Sequence, residues 1–194
     1  MVAKGHDFPK VTLVGMLSAD QSLYLDDYRA NERTFSMICQ TVGRAGRADD
    51  AGSALIQCYT PEHNTLKLAK EQDYPSFYEG EIKLREALKF PPFCDIAVFT
   101  VTTNDESAAF TAANALFEYL KSNALKSFSG EYFNMFGPFE APIFKMNEKF
   151  RVRIVVKFRN TKPMRAMFRS AMEDFGQKFP QNLTVSVDIN PNTI

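Results

Sequence analysis

The segment at residues 40–47 contains two arginines whose spacing could bind phosphate. It reads Gln-Thr-Val-Gly-Arg-Ala-Gly-Arg, so that Arg44 and Arg47 each follow a glycine. A guanidinium is planar, permanently charged and forked, and it therefore fits phosphate oxygens. The pattern therefore predicts a site that binds phosphate groups. The alternative is an ordinary helix C-terminus, where arginines interact favourably with the macrodipole.

A second polar segment precedes the first apolar run of the chain. Residues 4–9 read Lys-Gly-His-Asp-Phe-Pro. Gly5 allows a close backbone approach to a ligand, and the carboxylate of Asp7 could accept from a ribose hydroxyl or hold a water near Mg²⁺. A β-turn with a polar tip is the alternative interpretation. The position of this loop 33 to 36 residues before Gln40 favours a shared site.

A third candidate is a basic strand at residues 150–159. Alternation places apolar side chains on one face and Arg151, Arg153, Lys157 and Arg159 on the other. Between residues 144 and 169 there are nine Lys or Arg and one acid, Glu148. This surface could bind nucleic-acid phosphates, and the lack of an aromatic residue on the basic face favours backbone contact over base stacking. An ordinary solvated sheet face is the alternative.

The bulk composition is that of a globular protein. The chain has 194 residues, 45% hydrophobic and 24% charged, with a net charge of zero, so total charge predicts no nucleic-acid partner. Cys39, Cys58 and Cys94 have no paired spacing, which argues against a disulfide framework and against a metal site. No signal peptide and no apolar run of membrane-spanning length is present.

The first part of the chain predicts α/β structure. We expect strands at residues 11–17 and 54–59, separated by a helix that begins near Glu32 and buries Phe35, Ile38, Cys39 and Val42. A second helix is expected to begin at residues 60–62, with proline at its first position. Residues 73–89 predict a charged helix or helix pair that ends before two consecutive prolines.

The second part predicts an α+β domain. The expected order is strand 93–102, helix 105–122, strand 132–136, strand 150–159, helix 161–175 and strand 183–189, with a turn-rich loop at residues 136–142. This is the split βαβ, or ferredoxin-like, order. We therefore predict three regions: residues 1–72, a helical linker at 73–92, and a C-terminal domain at 93–194.

Taken in order, the segments of this chain resemble one family of helicases. The Gln-x-x-Gly-Arg-x-x-Arg pattern and the loop before it resemble the last motifs of the second RecA-like lobe of superfamily-two helicases. The whole run further resembles the primosomal protein N′ family of bacterial replication-restart helicases. The segments that carry this resemblance are residues 3–9, 11–14 (Val-Thr-Leu-Val), 28–30 (Tyr-Arg-Ala), 32–33 (Glu-Arg), 40–47, 61–63 (Pro-Glu-His), 91–93 (Pro-Pro-Phe) and 187–191 (Val-Asp-Ile-Asn-Pro).

The resemblance implies a function that composition does not show. It implies an ATP-dependent 3′-to-5′ DNA helicase that recognises stalled or branched forks and promotes primosome assembly and replication restart in the bacterial cytoplasm, close to the nucleoid. Arg44 and Arg47 would reach the nucleotide phosphates, whereas Gln40 and Asp7, with Gly5 and Gly43, would support the nucleotide. Lys4 and His6 would lie near the cleft or the DNA. Single-strand-binding and primosome proteins would be partners.

The chain departs from the family pattern in what it lacks. It has no Gly-x-x-x-x-Gly-Lys-Ser/Thr phosphate loop, no recognisable acidic magnesium motif and none of the clustered zinc cysteines of the family. We expect it to be the C-terminal portion of a longer protein, and we expect this portion to bind no zinc and to hydrolyse no ATP without the first lobe, which would complete the site for ATP and Mg²⁺. The alternatives are a non-enzymatic nucleic-acid or protein-binding module and another superfamily-two helicase.

Overall fold

The chain divides into two compact units, Met1–Ala87 and Leu88–Ile194. The structure, a computed structural model, describes residues 11–43, 45, 52–128, 130–178 and 182–192. Residues 4–7 and the arginines at 44 and 47, for which nucleotide or DNA contacts are predicted, lie outside the described residues.

The first unit contains a two-stranded parallel sheet and three α-helices. Its elements are β1 (Leu13–Met16), a short 3₁₀-helix (Gln21–Tyr24), α1 (Ala30–Val42), β2 (Ser53–Ile56), α2 (Asn64–Glu71) and α3 (Tyr74–Leu88). β1 pairs with β2 in parallel, from Leu13 opposite Ser53 to Met16 opposite Ile56. The connection between them passes through α1, as a parallel pair requires. The α/β character predicted for this region is therefore observed in the described residues.

A small apolar core holds the helices of the first unit together. Phe35 and Ile38 of α1, which the periodicity predicted to be buried, are 5% and 1% exposed. Phe35 stacks on Phe77 of α3 with ring centroids 4.3 Å apart. The segment predicted as a linker, residues 73–92, thus forms a helix that contributes Phe77 to this core. Arg85 also ties α3 to α1 by pairing with Glu32 at 2.7 Å.

The helix expected to begin with Pro61 begins later, and this expectation was wrong. α2 starts at Asn64, and His63 caps it because its Nδ1 accepts a hydrogen bond from the backbone N–H of Thr65 at 3.3 Å. Pro61 lies in the preceding turn. The side chain of Asp20 holds that turn by accepting hydrogen bonds from the backbone N–H groups of Tyr59 and Thr60.

The second unit is an α+β domain with the predicted order of elements. It comprises β3 (Asp95–Thr103), α4 (Glu106–Ser127), β4 (Phe133–Met146), β5 (Lys149–Phe158), α5 (Lys162–Lys178) and β6 (Thr184–Ile189). The four strands form one antiparallel sheet in the order β4-β5-β3-β6. β5 and β3 are therefore the interior strands.

Both helices of the second unit pack on one face of this sheet. α4 contributes small and leucine side chains, and α5 contributes Met164, Phe168, Ala171 and Phe175, which recur at helical spacing. Phe168 meets Phe99 of β3 edge-on, with ring centroids 5.1 Å apart. We call the helix-covered side of the sheet its inner face and the opposite side its outer face.

β4 is longer than the expected strand at residues 132–136. The turn-rich segment predicted as a loop, residues 136–142, continues the strand with register shifts between Phe136 and Phe139 and between Glu140 and Lys145. Pro138 has no N–H to donate, but β4 is an edge strand, where proline and a bulge are tolerated. The result is a 14-residue edge strand where a shorter one was expected.

Candidate nucleic-acid interface

The described part of the predicted nucleotide site lies at the C-terminal end of α1. Gln40 and Gly43 are both exposed there, and the N–H of Gly43 donates to the carbonyl of Cys39 at 3.0 Å. The carbonyl end of a helix carries partial negative charge, which does not by itself attract phosphate. These two residues can therefore supply a neutral polar contact to a nucleotide, but the positive charge would have to come from Arg44 and Arg47.

β5 carries the predicted basic residues in the interior of the second sheet. Its Val152, Ile154, Val156 and Phe158 face the helices and are fully buried. The intervening side chains point to the outer face, because successive residues of a strand alternate between faces. Arg151 lies opposite Thr102 of β3, and the next outer residue, Arg153, lies opposite Thr100.

Lys157 departs from the expected exposed basic face. It is 8% exposed, its Nζ donates to the carbonyl of Leu88 at 3.0 Å, and its ammonium lies 3.5 Å from the ring centroid of Phe90. Burial lowers the pKa of Lys157, against an opposing contribution from Cys94. The expectation of exposure was wrong because the segment before β3 covers this end of the outer face. The ammonium is engaged with the protein in this arrangement.

Arg151 and Arg153 are half-buried and lie in a cavity on the outer face. The cavity measures about 330 Å³ and is lined by Val98, Thr100, Arg151, Arg153, Ser186, Asp188, Pro191 and Asn192. Among the described residues, neither arginine forms an ion pair. Burial, and the like charge of Arg151, lower the pKa of Arg153. The two guanidiniums can therefore accept an anionic partner from outside the domain.

Arg159 lies immediately after β5 and is exposed. Its backbone N–H donates to the carbonyl of Tyr132 at 3.2 Å, which leaves its side chain on the surface. The structure thus brings Arg151 and Arg153 together, separates Arg159 from them by the length of the strand, and buries Lys157.

The hydroxyl and carboxylate side chains of the cavity were missed by the sequence analysis. Thr100 lies opposite both Arg153 and Ser186, and Asp188 lies one row further along β6, opposite Val98. A signal for them exists in β6, where Thr184, Ser186 and Asp188 alternate with apolar residues, and at the end of β3, where Thr100 and Thr102 do the same. Strand order was needed to place them beside the arginines.

Asn190, directly after β6, has a structural role in the described residues. The Oδ1 of Asn190 accepts from the backbone N–H of Ile96 at 2.9 Å, and its Nδ2 donates to Asp95 at 2.7 Å. Asp95 also accepts from the backbone N–H of Asn160 at 3.3 Å. These bonds fasten the ends of β3, β5 and β6 to one another, next to the cavity.

The described residues contain neither a metal-binding cluster nor a membrane-spanning helix. Across residues 11–43, 45, 52–128, 130–178 and 182–192, no group of three or more His, Cys, Asp or Glu is placed to hold a metal ion. Within the same ranges, no helix combines the length and the apolar character needed to cross a membrane.

Comparison with known proteins gives consistent matches to one family. The family model for the primosomal protein N C-terminal domain matches residues 86–192. The replication restart protein PriA of Bacillus subtilis is 35% identical over 98% of this chain and 23% of its own length. The proteins of the same name from Chlamydia muridarum and Treponema pallidum are 33% and 32% identical, over 100% and 98% of this chain and 25% and 28% of their own lengths.

The chain spans about a quarter of the length of these curated relatives. Among solved structures, the designed protein Foldit4 covers 51% of this chain at a TM-score of 0.36 and 12% identity, a likeness too low to carry an argument. The family match covers the whole described part of the second unit, including β5 and the outer-face cavity. The chain therefore belongs to the family of the primosomal protein N C-terminal domain.

Proposed function

We propose that this chain is the C-terminal part of a bacterial replication-restart DNA helicase and that its second unit contacts DNA through the outer face of the sheet. The observation that carries the DNA contact is the pair Arg151 and Arg153, two guanidiniums in one cavity without ion-pair partners among the described residues. Phosphate neutralisation by such groups dominates affinity for DNA. Arg159 would extend the contact, whereas Lys157 is left out because its ammonium already binds Leu88 and Phe90.

The names of the relatives support the biological setting. Proteins called replication restart protein align with nearly the whole chain, which supports a role in replication restart. Within that role, the proposal includes stalled or branched forks as the DNA and single-strand-binding and primosome proteins as partners. The strand order β4-β5-β3-β6 supports the ferredoxin-like form of the second unit. The parallel pair β1-β2, connected through α1, supports a partial RecA-like lobe in the first unit.

In this proposal the first unit supplies half of an ATP site. Gln40 and Gly43 would support the nucleotide, Gly5 and Asp7 would contact it from the preceding loop, and Arg44 would bind its phosphates together with Arg47. Lys4 and His6 would lie toward the DNA. ATP and Mg²⁺ would supply the phosphoryl group and its charge neutralisation when the first lobe is present. Zinc would be held by residues outside this chain.

One experiment on the full-length protein tests both halves of the proposal. We expect Arg47→Ala to abolish DNA-stimulated ATPase while fork binding stays intact, because an arginine finger contributes roughly 10³–10⁵ in rate but little to DNA affinity. We expect Arg151→Glu with Arg153→Glu to weaken fork binding. The matched control is Lys121→Glu with Lys126→Glu, which reverses two exposed charges on α4.

The outcomes separate the alternatives. Full ATPase in Arg47→Ala would contradict the catalytic role of that arginine. Equal fork affinity in the β5 and α4 double variants would contradict the DNA contact of the outer face. A second candidate function, a non-enzymatic binding module, is favoured by the same unpaired arginines; it predicts that the β5 variant loses its partner while no variant of the first unit affects any ATPase.

A further inference from the structure

Arg153 contains a polar atom that the protein leaves unsatisfied. Its Nε is buried and has no hydrogen-bond partner among the described residues. Native proteins satisfy nearly all such groups, and a buried guanidinium without an acceptor is costly. Burial, and the like charge of Arg151, lower the pKa of this group. The described fold therefore provides no acceptor for the Nε of Arg153, and a ligand from outside could provide one.

The groups around Arg153 form a cradle of hydrogen-bond donors across three strands. One row of the sheet holds Arg153, Thr100 and Ser186, and the next holds Arg151, Thr102 and Thr184. The two arginines are two residues apart on the same face of β5, so their Cα atoms are separated by roughly 6.8 Å. A single small ligand between them can be reached by both guanidinium forks and by the hydroxyl of Thr100.

The chemistry of the cradle favours a tetrahedral oxyanion. Two permanent positive charges face one carboxylate, Asp188, which is exposed and lies a row away beside Val98. A planar carboxylate offers two acceptor oxygens, whereas a phosphate offers more and can engage both guanidiniums and a hydroxyl at once. The cavity, about 330 Å³, leaves room for the rest of a larger molecule outside the cradle.

We propose that the outer-face cavity is a discrete binding pocket for one phosphate group, centred on Arg153 and completed by Arg151, Thr100 and Ser186. The expected source is a backbone phosphate of DNA, and this part of the inference rests on the proposed function. Free inorganic phosphate shares the chemistry and is the other source. The pocket differs from a diffuse basic surface in two respects. Its phosphate binding depends on one residue, Arg153, and inorganic phosphate alone is enough to fill it.

Thermal unfolding of the 194-residue chain in inorganic phosphate tests the pocket, with chloride added to hold ionic strength constant. A ligand that binds only the native state raises Tm by mass action. We expect phosphate to raise Tm of the wild type and of the matched control Lys121→Met, which removes an exposed charge on α4. Arg153→Met should weaken phosphate binding roughly tenfold or more, the loss typical of a charge-assisted hydrogen bond.

Two other variants keep the test independent of folding defects. Asp188→Asn removes the carboxylate at the rim and should enlarge the phosphate-dependent rise in Tm. Thr100→Val removes a hydroxyl at nearly constant volume and should reduce the phosphate-dependent rise in Tm. This variant replaces Arg153→Met in the test if Arg153→Met fails to fold. No rise in the wild type, or an equal rise in wild type and Arg153→Met, would overturn the pocket.

Competition at constant ionic strength identifies the source of the phosphate. Displacement of a short DNA duplex by inorganic phosphate in the wild type, but not in Arg153→Met, supports a DNA backbone phosphate. Phosphate binding without displacement supports the pocket and assigns it to free phosphate. Stabilisation by polyglutamate without any effect of phosphate would overturn the proposal in favour of an acidic protein partner. DNA binding that persists with no phosphate effect would overturn the pocket and leave the proposed function standing.

Discussion

The two units of this chain differ in how completely their sheets are covered. The sheet of the second unit has four strands and a core of sixteen buried residues, whereas the described core of the first unit has six. In the first unit Leu13, Leu17 and Leu55, on or next to the parallel strands, are 65%, 79% and 68% exposed. Parallel sheets are normally covered on both faces, whereas these leucines of the first unit are exposed.

The difference teaches where stability and function are expected to reside. The second unit has a continuous buried core beneath its helices, and the half-buried Arg151 and Arg153 on the outer face are available for binding. The first unit presents exposed leucines on or next to its strands, and the described end of α1 supplies no positive charge. Two kinds of mutation test this difference between the units. One compares substitutions of buried and exposed apolar residues, and the other replaces Lys157, where the outer face is covered.

The largest expected effect is a loss of packing in the second unit. Phe99 is fully buried against Phe168, and Phe99→Ala should lower the free energy of unfolding of that unit by about 3–5 kcal/mol. Leu55→Ala should change the free energy of unfolding of the first unit by less than about 0.5 kcal/mol, because Leu55 is exposed. Chemical denaturation measures both, with the exposed Leu125→Ala as control in the second unit. Equal costs for Phe99 and Leu55 would contradict the comparison.

A smaller effect is expected at Lys157, where the outer face is covered. Replacing Lys157 with Met removes an ammonium whose desolvation cost is offset by Leu88 and Phe90, so the change near neutral pH should be within about 1 kcal/mol. The lowered pKa gives a sign to the pH dependence. Between that lowered value and the unfolded value of 10.5, the native state loses the proton first, so wild-type stability should rise with pH relative to Lys157→Met.

Denaturation of wild type and Lys157→Met across the alkaline range measures this difference directly. Lys121→Met, at an exposed position on α4, serves as the control and should show no such dependence. A difference between wild type and Lys157→Met that stays flat with pH would mean that Lys157 is exposed in solution and that the segment before β3 does not cover it.

Much of the second unit could be predicted because its patterns are local. Alternation in β5 and the apolar stripe of α5 assign both elements and their buried faces from the sequence alone. The fate of Lys157 could not be predicted, because a period-two pattern does not show that Phe90, 67 residues earlier, packs over the ammonium. The extension of β4 past Pro138 was missed because proline reads as a break unless the strand is known to be an edge.

The start of α2 in the first unit and the cavity of the second unit were harder to predict. Pro61 is typical of the first position of a helix, which placed the expected start too early. The cap of α2 is instead His63, whose side chain accepts from the N–H of Thr65. The cavity residues Thr100 and Ser186 carry no motif, and only strand order brings them beside Arg153. The roles of Arg44 and Arg47 remain predictions.

The central claim is that the second unit folds independently and carries a DNA contact. Binding of a forked duplex to residues 88–194 alone, over a salt series, tests it most directly, with the 194-residue chain and Arg151→Glu with Arg153→Glu for comparison. The account predicts a folded unit whose salt slope matches that of the whole chain and falls by roughly 2 in the double variant. A folded unit that fails to bind at low salt, while the whole chain binds, would contradict it.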